Sequence, residues 1–104
     1  MNNLNSEDFF DLISNSDVEI IDVRRPDEFI QGYINGAKNI DYEKKEFVNL
    51  IKKLNMNKTY AIYCRSGRRS ARAIEMMEKL GFNSLFNLSG GIIEWESTGR
   101  SVVK

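Results

Sequence analysis

The chain predicts an α/β fold: a small parallel sheet with helices packed against it. Short β-branched and aromatic runs alternate with stretches of helical periodicity along its 104 residues. Residues suited to starting or ending helices fall between them, and no repeat, linker or low-complexity stretch breaks the alternation. Strands that alternate with helices pair in parallel through right-handed crossovers. Residues 1–104 are therefore expected to form one domain with a single core.

Ser6-Glu7-Asp8 predicts a helix start, with a capping hydroxyl and acids in the first turn. Phe9, Phe10, Leu12 and Ile13 supply its apolar face to about Ser14. Val18 to Val23 is a short buried strand. Pro26 opens a short helix that runs to Gln31 and stops at Gly32. After a turn at Asn35-Gly36, Ala37 to Ile40 forms a small strand. Glu43 to Leu54 carries Phe47, Leu50, Ile51 and Leu54 at helical spacing, with lysines opposite. Thr59 to Tyr63 is a strand suited to burial on both faces. Ser70 to Leu80 is a helix with a stripe of Ala71, Ile74, Met77 and Leu80, capped by Gly81. Ser84 to Leu88 is the next strand, and Gly90-Gly91 turns into a last helix around Ile92–Trp95.

Composition narrows the function classes. The chain holds no histidine and one cysteine. Ser-His and Cys-His dyads are excluded, an internal disulfide is excluded, and zinc would find one soft ligand, so no metal is expected. No apolar run approaches the length of a membrane span, and Met1 to Asn5 lacks the features of a secretory signal, so no membrane partner and a cytoplasmic location are expected. Net charge is zero but uneven. Residues 1–31 carry eight acids against Arg24 and Arg25, whereas 65–72 carry Arg65, Arg68, Arg69 and Arg72 with no acid. That basic footprint is too narrow for a nucleic-acid surface and fits a local anion site.

The cysteine lies inside this basic segment. Tyr-Ala-Ile-Tyr ends on Cys64, then Arg65-Ser66-Gly67-Arg68-Arg69-Ser70 leads into a helix. In parallel sheets, ligands sit outside the carboxyl ends of the strands, where Cys64 falls. A loop of this kind can turn successive N–H groups inward as a nest for negative charge. The helix N-terminus favours the same sign, and a thiol held there ionises to its reactive form. Gly67 lets an anion approach the main chain, the arginines offer forked donors, and Ser66 and Ser70 offer hydroxyls. A free cysteine is more often a small buried hydrophobe, and arginines are more often a solvated helix face. Arg72 fits that plainer description, but Arg65, Arg68 and Arg69 share one loop with the thiol and a glycine.

Four stretches together resemble the rhodanese-like sulfurtransferases. They are Ile21-Asp22-Val23-Arg24 with Pro26 and Glu28-Phe29; Gly32-Tyr33-Ile34-Asn35-Gly36-Ala37; Tyr63-Cys64-Arg65-Ser66-Gly67-Arg68-Arg69-Ser70; and Leu88-Ser89-Gly90-Gly91 with Trp95. Tyr33 departs from the family's usual histidine, and local repacking is expected there. The resemblance implies a three-layer fold, with a parallel sheet of four to five strands and helices on both faces. It implies that Cys64 takes a sulfane sulfur from a small anionic donor such as thiosulfate, as a persulfide. A thiol or cyanide acceptor, or a partner protein, then receives that sulfur. No cofactor is implied. Arg65 and Arg69, then Arg68, are expected to bind the donor, with Ser66, Gly67 and Ser70 completing the site. Asp22 and Arg24 are supporting residues. Asp22 either braces the loop, through Arg69 or the loop N–H groups, or forms a local strand-end pair with a neighbouring arginine. Gly90, Gly91 and Trp95 are expected to be structural, and Tyr60 and Tyr63 to lie in the core.

Phosphatases share a related loop with the signature Cys-x5-Arg. Here Arg69 falls five positions after Cys64 and Ser70 falls six after it, a loop too tight for a tetrahedral phosphate. Arsenate reduction would need a second cysteine. A sulfur relay to a partner protein and a non-catalytic binding module remain as alternatives. Modules of the latter kind often lack the cysteine, whereas this chain keeps it. The basic loop favours thiosulfate over mercaptopyruvate.

Overall fold

A computed structural model describes residues 2–104. Its elements are β1 (Asn2–Leu4), α1 (Ser6–Ile13), β2 (Val18–Asp22), α2 (Pro26–Phe29), β3 (Ala37–Asn39), α3 (Phe47–Lys52), β4 (Thr59–Tyr63), α4 (Arg68–Lys79), β5 (Leu85–Leu88) and α5 (Gly91–Ser97). The five strands form one sheet in the order β1-β5-β4-β2-β3, every pairing parallel. The α/β three-layer architecture is as expected.

The pleat sorts β4 between two cores. Tyr60, Ile62 and Cys64 face a cluster with Phe47 and Ile51 of α3 and Ala73, Ile74 and Met77 of α4. Ala61 and Tyr63 face the opposite cluster, with Phe9 of α1 and Ile92 and Trp95 of α5. Successive strand side chains point to opposite faces, so a central parallel strand must be apolar throughout. Phe9 meets Tyr63 and Trp95 edge-on, with centroids 6.5 and 6.1 Å apart.

Several boundaries differ from the sequence expectation. β1 had no strand signal; Asn2–Leu4 is strand because β5 offers it a ladder, closed by Ser89 N–H donating to Leu4 O at 2.9 Å. The α1 cap is Asn5, whose side chain accepts the Asp8 N–H at 2.8 Å, and Ser6 is already helical. Glu43 to Glu46 form turns instead of opening a helix, so α3 starts at Phe47. The helix after Cys64 begins two residues early, at Arg68, and its buried face is Ser70, Ala73, Ile74 and Met77, not the stripe through Ala71 and Leu80. α2 ends at Phe29, two residues short of Gln31, while α5 extends to Ser97.

Candidate active site

Cys64 follows β4 directly and is 1% exposed. It lies at the floor of the loop. Its Sγ accepts the Gly67 N–H at 3.1 Å and the Ser70 N–H at 3.4 Å, and the Ser70 hydroxyl lies 3.3 Å away. Ser70 is in the first turn of α4, so the helix presents unpaired N–H groups to the sulfur. Burial alone would push the Cys64 thiol up. The Ser70 hydroxyl and the N–H groups of Ser70, Ser66 and Gly67 outweigh burial and hold it below its ordinary value.

Two glycines allow this geometry. Gly67 has φ +96°, and a Cβ there would collide with the Ser89 carbonyl. Gly91 has φ +65°, and a Cβ there would strike the Arg65 backbone. That contact lets Ile92 N–H donate to Cys64 O at 3.0 Å and Ile93 N–H to Arg65 O at 3.2 Å. The loop carbonyls are thus drawn toward α5, leaving N–H groups for the sulfur. Gly91, read from sequence as a plain turn residue, shapes the site.

The charged residues pair differently from one expectation. Asp22 does not reach Arg69. It binds Arg24, whose Nε and Nη2 donate to the carboxylate at 2.7–3.1 Å, both side chains being buried. The local strand-end pair is therefore the arrangement found. The bend that ends β2 explains it: Arg24 follows Asp22 by two residues, and its backbone N–H also donates to Asp22 Oδ1 at 2.9 Å, which folds the side chain back over the carboxylate. Arg24 Nη2 also donates to Gly32 O at 2.7 Å, and the Arg24 guanidinium sits 5.7 Å from the Tyr63 ring centroid. Burial, with Asp22 nearby, pushes the Tyr63 phenol far up, so it stays protonated. Tyr63 Oη accepts the Ile34 N–H at 3.0 Å. This cluster pins the carboxyl end of β2 to β4, one layer beneath the loop.

Arg69 instead makes a two-pronged pair with Glu28 at 2.7 and 3.0 Å, and Glu43 lies 3.9 Å away. The Arg69 fork holds Glu28 below the ordinary carboxylate range, against a smaller opposing effect of burial. In the sequence Glu28 stands out only as part of the stretch Pro26 to Phe29; an acid in the first turn of a helix, in a chain whose segment 65–72 carries four arginines and no acid, is the available signal. Arg65, Ser66 and Arg68 are exposed. Arg65 borders a groove of about 280 Å³ with Arg24, Glu28, Gly32, Ile93 and Glu96. Tyr33, where a histidine is usual, stacks on Phe29 at 4.1 Å, and its backbone bridges Val103. Among the described residues, no three His, Cys, Asp or Glu gather to hold a metal, and no helix is long and apolar enough to cross a membrane.

The family model "Rhodanese-like domain" matches residues 5–98. A putative mitochondrial thiosulfate sulfurtransferase of Schizosaccharomyces pombe is 37% identical over 93 residues, covering 79% of this chain and 66% of that protein. A sulfurtransferase of Allochromatium vinosum is 31% identical over 99% of this chain and 95% of its own length. A rhodanese-related protein of Thermoplasma volcanium superposes with a TM-score of 0.84 at 35% identity, covering 99% of this chain and 98% of that one. Several curated relatives are longer, and the chain spans as little as 21% of their length. Fold, loop and relatives agree: the chain belongs to the rhodanese-like domain family.

Proposed function

We propose that this protein is a sulfurtransferase that carries sulfur on Cys64. The observation that carries this reading is the ring of donors on Sγ, which favours an anionic sulfur in a chain without a histidine base. The Cys64 thiolate attacks the sulfane sulfur of thiosulfate. A Cys–S–S bond forms, the donor's S–S bond breaks, and its electron pair leaves with sulfite. The resulting persulfide is anionic, and the same N–H groups stabilise it without reorganisation. An acceptor thiolate or cyanide then attacks the terminal sulfur and returns Cys64 as thiolate. Ser70, buried six positions after Cys64, fills the place where a phosphatase needs arginine.

Incubation with thiosulfate is expected to add one sulfur atom to the protein in intact-mass spectra, removable by cyanide. No adduct from thiosulfate, glutathione persulfide or mercaptopyruvate would end this reading.

The arginines divide by their pairing. Arg65 is exposed at the groove and pairs with no acid among the described residues, whereas Arg69 is held by Glu28. Arg65→Ala is expected to lower kcat/KM for thiosulfate by about 1–3 kcal/mol, the worth of a charge-assisted contact. Arg69→Ala costs less, because Arg69 must first be drawn from Glu28. Steady-state kinetics with thiosulfate check this; a larger loss from Arg69→Ala would reverse the assignment.

A further inference from the structure

Asn87 stands on β5, outside the loop, and is 2% exposed. Its Nδ2 donates to Gly67 O at 3.3 Å and to Asn3 Oδ1 at 3.1 Å. Two acceptors on the nitrogen side orient the amide, so Oδ1 faces the Ser70 hydroxyl at 2.6 Å. Ser70 has one hydroxyl proton. Two acceptors compete for it: Asn87 Oδ1 at 2.6 Å and Cys64 Sγ at 3.3 Å. A neutral thiol has no need of that proton, because its own S–H can donate to Ser70 Oγ while the hydroxyl donates to Asn87. A thiolate has no proton to give. It gains the hydroxyl as a further donor, beside the loop N–H groups, only when the hydroxyl turns away from Asn87.

We propose that Asn87 is a positioning residue for Cys64, anchoring the loop through Gly67 O and withholding the single Ser70 proton from the sulfur. When Cys64 ionises, its proton goes to solvent, the Ser70 O–H swings from Asn87 Oδ1 to Sγ, and Oδ1 loses its donor. The hydroxyl is a two-position rotor set by the charge on the sulfur.

The charged groups around the loop are Arg65 and Arg68, Arg69 of α4 with its partners Glu28 and Glu43, the Asp22–Arg24 pair at the end of β2, and Glu96 of α5 across the groove. Asn87 is neutral, so replacing it leaves these charges in place. Its effect on Cys64 therefore runs through its hydrogen bonds, to the Ser70 hydroxyl and to Gly67 O.

The test reads thiolate formation, from its ultraviolet absorbance against pH, in wild type, Asn87→Ala, Ser70→Ala and the double variant. It needs no sulfur transfer, so it stands or falls apart from the sulfurtransferase reading. Asn87→Ala is expected to lower the Cys64 midpoint by about 0.5–1 pH unit, because the freed hydroxyl serves the thiolate. Ser70→Ala raises it, and the double variant matches Ser70→Ala. A loosened loop would move the midpoint upward, so the sign separates the two roles. An unchanged or raised midpoint in Asn87→Ala, or a drop that persists without Ser70, overturns the proposal. Should Asn87→Ala not fold, the unsubstituted protein carries a second readout. The Asn87 side-chain carbonyl carbon resonance is expected to move through the Cys64 midpoint, and not to do so in Ser70→Ala. A resonance silent in both overturns the proposal equally.

Discussion

Cys64→Ser is expected to give a folded protein that takes up no sulfur and has no measurable turnover. The substitution removes the only thiol, and a serine hydroxyl is neither ionised nor nucleophilic enough to replace it. The fold survives because serine is slightly smaller and inherits the donors from Gly67 and Ser70. Retained sulfur loading, read by intact mass, would mean that another group is the nucleophile.

The same variant exposes how Cys64 contributes to stability. Its thiol is held below the ordinary value of 9.0 in the folded chain, whereas the unfolded chain keeps that ordinary value. A depressed acid stabilises the fold once pH exceeds the unfolded value, and this contribution is lost as pH falls through the folded one. The gap in urea midpoint between wild type and Cys64→Ser is therefore expected to widen as pH rises toward 9.0 and then to level off. A gap that stays constant with pH would show that the donors around Sγ do not favour the thiolate.

What the sequence revealed of this site was local in the chain. Strand, thiol, glycine and helix are consecutive from Thr59 to Lys79, so composition and spacing suffice to place them. Partners brought in by the sheet were harder to see. Arg69 pairs with Glu28 from α2, and nothing in either segment alone chooses that acid over Asp22. Asn2–Leu4 has no β-branched residue and becomes a strand through β5. Asn87 did leave a signal. It is polar, yet it shares a strand face with buried Leu85, and a lone polar residue facing a core needs partners. Those partners, Ser70 and Gly67, are visible only once α4 has been laid beside β5.

Gly91→Ala is expected to cost both stability and sulfur loading, although Gly91 touches no substrate. Its φ of +65° lies in the left-handed region, which costs an alanine about 1–2 kcal/mol. Its new Cβ would also meet the Arg65 backbone, which cannot move aside as a flexible side chain would. Overpacking of this kind adds roughly 1–3 kcal/mol. Relief requires α5 to back away from the loop, and the Ile92 and Ile93 N–H groups then release the carbonyls of Cys64 and Arg65. Freed carbonyls can turn toward the sulfur, where they would oppose the thiolate. Loss of stability in urea should therefore accompany a raised thiol midpoint and slower persulfide formation. If Gly91→Ala unfolds at the wild-type urea midpoint and loads sulfur at the wild-type rate, the contact between α5 and the loop is not what aims its N–H groups.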